Sequence, residues 1–301
     1  MVTYNHEKYI KQAIESVLTQ KTKFDYELII GEDYSTDDTR RILSQYQIRN
    51  PNRIRIIFNN KNLGPAENFV RTFNACKGTY IALLEGDDYW INSSKLQKQV
   101  DLLDSNLRYS MCFHTAQAFY EINPKKKYFI PSQNRESGEY FVEDILAYNF
   151  IASCSAMYRN IYFKKLPDWF KLFAIGDWPL HTLYAMHGSI GYIDEVMAKY
   201  RIHSDSRYSS RTRIANYLDI IKTQKRLDRC LRYKYHKIIH KVICENCYLL
   251  YQEYVKINDY TTAEKVLGKT ILKFVPQKSI RDKFHSLLSN KTFLSKHKKH
   301  V

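Results

Sequence analysis

Two clusters of carboxylates are the side chains of this chain best suited to chemistry. Glu32 and Asp33 follow one short apolar run, and Glu85, Asp87 and Asp88 follow another. Three acids within four residues repel one another unless a positive charge lies among them. A divalent cation is the simplest such charge, because carboxylate and phosphate oxygens together complete its coordination shell. The spacing therefore predicts that Asp87 and Asp88 belong to a site for a cation and a phosphate group.

The acids Asp37 and Asp38 favour a structural interpretation. Ser35 and Asp38 have the spacing of a capping box, and acidic residues are favourable at the start of a helix. The chain contains no glycine-rich phosphate loop of the GxGxxG or GxxxxGK type. A bound diphosphate would therefore have to be neutralised by the cation and by nearby donors.

Alternating strand and helix signals indicate which elements carry the acids. The pattern predicts strands at Tyr26–Ile30, Ile54–Phe58 and Thr79–Leu84, and helices through Ile10–Leu18, Ile42–Tyr46, Phe69–Ala75 and Leu96–Leu103. This alternation implies right-handed crossovers and an α/β fold with a mixed, mainly parallel sheet flanked by helices. Ligands of such sheets bind at the carboxyl ends of the strands, where both acid clusters lie.

The pattern becomes mixed after Leu107. Strands are predicted at Tyr109–Phe113, Ser153–Tyr158 and Ser189–Ile193, a helix from Asp177, and an ordered loop over Lys199–Ser206. Amphipathic helices follow at about Ile214–Leu231, Ile238–Val255, Thr262–Phe274 and Ile280–Leu288, with a basic tail over Lys296–Val301. The last part of the chain is thus predicted to be an α-helical appendage.

The charge distribution indicates a boundary near residue 204. Residues 205–301 contain 22 Lys and Arg against 8 Asp and Glu, a surplus of 14 out of the net +16 of the chain. Residues 1–204 are therefore nearly neutral. We expect a catalytic domain over 1–204 and a basic helical region over 205–301.

Composition excludes several classes of protein. No apolar stretch approaches the ~18 residues of a membrane-spanning helix, and the first twelve residues lack the apolar block of a signal peptide. Six scattered cysteines do not form a disulfide framework, and the lone pair Cys244 and Cys247 lacks a second pair of zinc ligands. We expect a cytoplasmic protein.

Four segments, in this order and at this spacing, resemble the signatures of family 2 glycosyltransferases, which have the GT-A fold and mostly invert the sugar. They are Val2-Thr3-Tyr4-Asn5, Glu32-Asp33-Tyr34-Ser35-Thr36-Asp37, Asn62-Leu63-Gly64-Pro65-Ala66-Glu67-Asn68 and Glu85-Gly86-Asp87-Asp88-Tyr89-Trp90. Two further segments, Gly176–Leu180 and Tyr200–Ser204, extend the resemblance over residues 1–206. It implies a nucleotide-diphosphate-sugar donor, mostly a UDP-sugar, a divalent cation (Mn²⁺ or Mg²⁺) and an acceptor hydroxyl.

The resemblance also implies roles for individual residues. The residues expected to line or border the nucleoside pocket are Thr3, Tyr4, Glu7, Asp33, Asn62 and Asn68, with Asp33 accepting a hydrogen bond from the base. Asp87 would contact the ribose or the metal, Asp88 would ligate the metal, and His203 would lie on the metal or the diphosphate. Asp177 would be the base that deprotonates the acceptor.

Some of these residues also have simpler explanations. Asp177 precedes Trp178 and Pro179, so it also has the pattern of a helix N-cap, and a cap could hold a catalytic carboxylate in place. Trp90 and Trp178 could face a sugar, although packing in the core is the commoner role of a tryptophan. A loop histidine such as His203 is often simply exposed.

Two departures from the family pattern stand out. Relatives have several β-branched residues before the segment that begins at Val2, so we expect that the sequence starts downstream of the natural start. Glu85 stands where many relatives carry an aspartate, which leaves its own contact open.

The basic C-terminal region leaves two classes of function open. In the first, it docks a glycosyltransferase peripherally on an anionic membrane surface, where a lipid-linked saccharide of a cell-envelope polysaccharide is extended. In the second, pI 9.4 and 25 tyrosines serve nucleic-acid or protein binding beside an inactive GT-A domain. We favour the enzyme, with no nucleic-acid partner, because Asp88, Asp177 and His203 are all present and acids would repel phosphate.

Overall fold

The computed structural model describes residues 1–132, 138–162, 165–173, 176–206 and 210–266 of the 301-residue chain. The chain divides into two compact units, Met1–Ser210 and a second that begins at Arg211.

The first unit begins with three β–α repeats. They consist of β1 (Val2–Thr3), α1 (Ile10–Leu18), β2 (Leu28–Glu32), α2 (Thr39–Arg49), β3 (Ile54–Phe58) and α3 (Pro65–Asn74). The strands form a parallel sheet in the order β1-β2-β3. Ile10, Ala13, Ile14 and Val17 recur at helical spacing on α1 and are all buried, which explains why this segment is a helix against the sheet.

The rest of the unit forms a larger mixed sheet. Its elements are β4 (Tyr80–Ala82), β5 (Tyr89–Trp90), α4 (Lys95–Ser105), β6 (Tyr109–Tyr120), β7 (Asn123–Ile130), β8 (Glu139–Tyr140), α5 (Val142–Ala147), β9 (Met157–Arg159), α6 (Asp177–Ala185) and β10 (Ser189–Ile202). The strand order is β4-β9-β6-β10-β5, with β7 paired to β6 and β8 to β10. Strands β6 and β10 are parallel, and the other pairs of this sheet are antiparallel.

The strand β1 joins the two sheets. Val2 forms a parallel bridge with Glu85, and the Gly86 amide donates to the Val2 carbonyl oxygen at 3.0 Å. The chain beyond β4 therefore lies beside β1, which pairs with β2 on its other side. As a result, the residues that follow β2 and β4 lie at neighbouring positions on one edge of the sheet.

The second unit contains α7 (Arg213–Cys230) and α8 (His236–Lys256). Ile221, Cys247 and Leu250 form its buried cluster. After α8, Asp259 accepts a hydrogen bond from the Thr262 amide at 3.0 Å and caps the helical residues 260–266. The remainder of the helix predicted over Thr262–Phe274, the helix predicted at Ile280–Leu288 and the tail Lys296–Val301 lie outside the described residues.

The predicted α/β fold class is confirmed, and three details differ. Residues 199–202 were expected in a loop, but they continue β10 because they pair with residues 117–120 of β6. The capping box of Ser35 and Asp38 was wrong: the Ser35 hydroxyl accepts from the Asn5 amide instead. The start of the strand predicted over Ser153–Tyr158 is a 3₁₀ turn, with strand only from Met157.

All six cysteines are free thiols. Across the ranges that the structure describes, none of the helices has the length and apolarity needed to cross a bilayer.

Candidate active site at the edge of the sheet

Asp33 lies immediately after β2 and is held by the loop that follows β3. Its Oδ1 atom accepts hydrogen bonds from Asn59 Nδ2 at 3.0 Å and from the Leu63 amide at 2.8 Å. Asn62 Nδ2 donates to the Asp33 carbonyl oxygen at 3.1 Å. Only 2% of Asp33 is exposed, so its carboxylate occupies a fixed position. This geometry suits a group that reads one polar edge of a ligand.

Asn68, in α3, supports the end of β2 next to Asp33. Its Nδ2 atom donates to the Gly31 carbonyl oxygen at 2.9 Å, and its Oδ1 atom accepts from Asn59 at 3.0 Å. The side chain is buried, and these two bonds give Asn68 a structural role in holding β2 to α3.

The three predicted pocket residues near the N-terminus have different surroundings. Thr3 is buried in β1, whereas Tyr4 is 42% exposed beside it. Glu7 and Asp37 cap the start of α2 together, since Glu7 Oε2 accepts from the Asp38 amide at 2.9 Å and Asp37 Oδ1 accepts from the Thr39 amide at 3.0 Å. The predicted structural role of Asp37 thus matches its contacts, and the Glu7 carboxylate is engaged in the same cap.

Asp87 contacts a histidine that lies just after β10. His203 Nε2 lies 3.1 Å from Asp87 Oδ2, and His6 Nε2 lies 3.9 Å from the same oxygen. Burial raises the pKa of Asp87, but the hydrogen bond from His203 and the two imidazoles outweigh it, so the pKa lies below its usual value. Asp87 is therefore an ionised carboxylate between two histidines.

Asp88 is more deeply buried than Asp87. It is 2% exposed, its Oδ1 atom accepts from the Arg201 amide at 2.8 Å, and its Oδ2 atom has no hydrogen-bond partner. Burial, followed by the charges of Asp87 and Glu85, raises its pKa well above the usual range. One oxygen of the buried Asp88 carboxylate thus links the turn Glu85–Asp88 to the backbone of β10.

Glu85 carries a second unpartnered carboxylate oxygen. Its Oε2 atom is buried without a hydrogen bond. Burial, the charge of Asp87 and the charge of Asp177 raise the pKa of Glu85 to about 7. The charge of Asp177, the first residue of α6, thus acts on the acid cluster.

Asp177 is the first residue of α6, after the N-cap Gly176. Its Oδ2 atom accepts from Asn149 Nδ2 at 3.1 Å, and its Oδ1 atom accepts from the Trp178 amide at 2.8 Å. These two bonds fix the direction of the carboxylate. The expected N-cap position is thus one residue off, but the expected fixed carboxylate at a helix start is present.

The turn Glu85–Asp88 is called the acid turn below. Gly86 is required where this acid turn approaches β1. A Cβ atom at this position would lie 2.6 Å from Thr3 Oγ1 and 2.7 Å from His6 Nδ1. Any larger residue would therefore push the turn away from β1 and displace Asp87 from the two histidines.

Both tryptophans that could have faced a sugar are buried. Trp90 Nε1 donates to the Cys154 carbonyl oxygen at 2.9 Å, and Trp178 Nε1 donates to the Ile145 carbonyl oxygen at 2.6 Å. Core packing is the role that these contacts support.

The donor set fits a divalent cation only together with oxygens from a ligand. Among the described residues, no three His, Cys, Asp or Glu side chains are close enough to hold a metal ion by themselves. However, Asp87 and His203 meet at one point, and Asp88 and Glu85 beside them each have a buried carboxylate oxygen without a hydrogen-bond partner and a raised pKa. A cation would favour the ionised form of these carboxylates, and a diphosphate would supply its remaining ligands.

The structure adds four residues to those found from the sequence. Asn59 and Asn149 hold Asp33 and Asp177, His6 lies beside Asp87, and Arg201 contacts both Asp87 and Asp88. Arg201 was visible in the segment Tyr200–Ser204, but nothing in the local pattern indicates its partners more than 110 residues away.

Comparison with known proteins bears on the family and the fold of the chain. The family model described as glycosyl transferase family 2 matches residues 1–166. An uncharacterised protein of Mycobacterium tuberculosis is 38% identical over 210 residues, which are 69% of this chain and 59% of that relative's length. The chain therefore spans about three fifths of that relative.

Two solved structures share the fold. S. aureus TarS 1-349 in complex with UDP-GlcNAc matches with a TM-score of 0.62 and 16% identity, over 91% of this chain and 82% of the TarS 1-349 chain. A mannosyltransferase of Pyrobaculum calidifontis in complex with GDP-Man and Mn²⁺ matches with a TM-score of 0.61 and 12% identity, over 98% of this chain and 80% of its own.

Proposed function

The chain belongs to glycosyl transferase family 2, and on that premise we propose that it transfers a sugar from a nucleotide-diphosphate sugar to a hydroxyl group of an acceptor saccharide. The observation that carries this proposal is the contact between Asp87 and His203 at the carboxyl edge of the sheet, together with the charge of Asp177, which acts on neighbouring Glu85. A cation-binding pair and a carboxylate fixed by two hydrogen bonds suit the transfer of a group away from a diphosphate.

The nucleoside of the donor would bind at Asp33. The carboxylate is held by Asn59 and Leu63 and can accept from a base, while exposed Tyr4 offers a ring beside β1. UDP-GlcNAc in TarS and GDP-Man in the mannosyltransferase are both nucleotide-diphosphate sugars, which supports this class of donor. We propose UDP as the nucleotide.

We propose that Asp87 and His203 hold the cation, with Asp88 behind them. Asp87 carries a pKa below its usual value, whereas Asp88 is buried and already accepts from the Arg201 amide. The Mn²⁺ of the mannosyltransferase supports a divalent ion, Mn²⁺ or Mg²⁺. When bound, such a cation offsets the charge of the departing diphosphate.

Asp177 would act as the general base. Its carboxylate takes the proton of the acceptor hydroxyl as that oxygen bonds to the anomeric carbon and the bond from this carbon to the diphosphate oxygen breaks. One displacement of this kind inverts the anomeric centre and needs no carboxylate nucleophile. Asn149 and the Trp178 amide keep the carboxylate in the required direction.

We further propose that the acceptor is a lipid-linked saccharide of a cell-envelope polysaccharide and that the basic region 205–301 docks on an anionic membrane from the cytoplasmic side. The surplus of 14 positive charges in that region supports such docking. Lys and Arg that reach an anionic surface contribute about 1 kcal/mol each.

The substitution Asp177→Asn tests the function. We expect transfer to fall by about 10²- to 10⁴-fold, because the amide cannot accept the proton. Binding should survive: UDP with Mn²⁺ should still raise the melting temperature of the variant, since ligands stabilise the state that binds them. Transfer is measured with a panel of UDP- and GDP-sugars.

Asp25→Asn is the matched control. Asp25 is exposed in the loop before β2, at the opposite edge of the parallel strands, so transfer should be unchanged. Transfer by Asp177→Asn at the wild-type rate would disprove the base assignment. A larger thermal shift with single-stranded RNA than with any nucleotide sugar would instead support the nucleic-acid-binding alternative.

A further inference from the structure

We propose that Arg201, at the end of β10, is a positioning residue that sets the affinity of the site for its cation. The inference rests on the proposed function and concerns a residue that donates hydrogen bonds to the acid turn and to Gln12. Arg201 would act through the acid turn, by fixing where the carboxylate of Asp87 meets His203.

Arg201 is bonded to both aspartates of the acid turn. Its backbone amide donates to Asp88 Oδ1 at 2.8 Å, and its side-chain Nε donates to the carbonyl oxygen of Asp87 at 2.9 Å. Two residues later, His203 Nε2 lies 3.1 Å from Asp87 Oδ2. Arg201 thus binds the main chain of the turn, and His203, just after β10, contacts the carboxylate of Asp87.

The guanidinium group of Arg201 is itself held in place by aromatic rings. It lies 4.8 Å from the ring centroid of Tyr9, 5.2 Å from that of Phe119 and 5.4 Å from that of Tyr89. Its Nη2 atom donates to Gln12 Oε1 at 2.6 Å. Contacts on this many sides leave the side chain little freedom to move.

Tyr9 connects the two residues that contact the turn, Arg201 in β10 and His203 just after it. Its ring lies 4.7 Å from the His203 ring as well as against Arg201, and its hydroxyl donates to Glu121 Oε2 at 2.8 Å. The orientation of His203 and the position of the turn therefore depend on the same packed group.

A lysine could not reproduce this arrangement. The guanidinium is planar, donates through Nε at a fixed angle and stacks on aromatic faces, whereas an ammonium group is a compact charge on a flexible stem. The substitution Arg201→Lys therefore keeps the positive charge and removes the bond from Nε to Asp87. If charge alone mattered, this variant would behave as wild type.

The test compares wild type, Arg201→Lys and Arg49→Lys. The concentration of Mn²⁺ that produces half of the thermal shift is measured at saturating UDP, without any sugar transfer. Substituting residues that orient metal ligands typically changes metal affinity by about 10- to 100-fold, and we expect a rise of about tenfold in Arg201→Lys. Arg49→Lys makes the same exchange at an exposed arginine of α2 and should match wild type.

The kinetic result should agree with the binding result. At saturating Mn²⁺ and donor, kcat of Arg201→Lys should approach that of wild type, while the apparent KM for Mn²⁺ rises. An unchanged Mn²⁺ midpoint in Arg201→Lys would overturn the inference. Weaker binding of UDP in the presence of EDTA would also overturn it, because Arg201 would then contact the nucleotide directly.

A second variant covers the case in which Arg201→Lys does not fold. Phe119→Leu removes one ring from the guanidinium and leaves Arg201 and its hydrogen bonds intact, so the Mn²⁺ midpoint should rise by a smaller factor. A midpoint equal to that of wild type would count against the inference. Absence of any Mn²⁺-dependent shift with UDP in wild type would contradict the proposed function itself, not the role of Arg201 alone.

Discussion

Lys95 is a lysine with no exposed surface. Its Nζ atom has no hydrogen-bond partner and lies 3.9 Å from the ring centroid of Trp90. Gln99 Oε1 and His114 Nε2 are likewise buried without partners. Burial lowers the pKa of Lys95 to about 7, although the Cys112 and Cys154 thiols act in the opposite direction. An unpaired amine of this kind destabilises the fold whenever it is charged.

The substitution Lys95→Met should stabilise the protein. Replacing buried charges by apolar groups of similar volume is often worth about 1–4 kcal/mol, and we expect a gain in this range at pH 7. The free energy of unfolding is measured by urea titration. Lys21→Met, at an exposed lysine, is the control and should change stability little.

The gain should shrink as the pH rises from 7 towards 10.5. In this range the unfolded chain binds a proton at Lys95 that the folded chain does not, because the folded pKa of about 7 lies below the model-compound value of 10.5. Wild-type stability therefore increases with pH by up to about 1.4 kcal/mol per unit from this group, and Lys95→Met lacks that increase. A pH-independent difference between the two proteins would contradict the assignment.

Candidate site residues were predicted from the sequence where an acidic residue follows a strand or begins a helix. Asp33, Asp87 and Asp177 lie at strand or helix ends, and their acidity is visible in the sequence. The partners that hold Asp33 and Asp177 were not visible, because Asn59 and Asn149 lie 26 and 28 residues away along the chain. The burial of Lys95 was not predicted either, since a lysine in an amphipathic helix is normally on the exposed face.

The contact between β2 and α3 depends on Gly31. A Cβ atom there would lie 1.8 Å from Thr72 Oγ1 and 2.7 Å from Asn68 Oδ1. The absence of a side chain lets the helix approach the strand closely enough for Asn68 to bond the Gly31 carbonyl oxygen. This approach also places Asn59, which Asn68 holds, next to Asp33.

Gly31→Ala should therefore destabilise the protein by about 1–3 kcal/mol, the usual cost of overpacking a closely packed site. Thr72→Ala in the same chain should restore part of the loss, because it removes the nearest clashing atom. The two single variants and the double variant form a cycle measured by chemical unfolding. Strictly additive effects would show that the clash at Thr72 is not the cause.

Helices and strands were predictable where the local apolar pattern alone specifies them. The strand Ile54–Phe58 was placed at its observed bounds, and α1, α4 and α7 were found within a few residues, because apolar spacing alone specifies them. The end of β10 was taken for a loop because Lys199 and Arg201 are polar, and only pairing with β6 makes this segment a strand. The strand β7, an antiparallel neighbour of β6, was missed for the same reason, because Asn123–Ile130 begins with polar residues.

The molecule joins a nearly neutral unit to a basic one. The larger buried cluster draws its residues from Ile10 to Ala198, and the cluster of the second unit from Ile221 to Leu250. Each unit therefore has apolar contacts of its own, and all the proposed site residues precede Arg211.

Residues 1–210 expressed alone should consequently fold and keep the Mn²⁺-dependent shift with UDP. Full-length protein should bind vesicles of anionic lipid, with binding that weakens as salt is added, and residues 1–210 should not, because they lack most of the positive charge. Co-sedimentation with vesicles measures this. Equal binding by both proteins would disprove the proposed role of the basic region.

The separation along the chain between the acids and their partners Arg201 and His203 has a consequence for biosynthesis. Synthesis proceeds from the N-terminus, so Asp87 and Asp88 leave the ribosome more than 110 residues before Arg201 and His203, with which they pair. Contacts so distant along the chain form slowly and close costly loops. A nascent chain therefore carries the acids for most of its elongation without the arginine and histidine that complete the site, and competence to bind a donor arrives in a single late event when β10 pairs with β6.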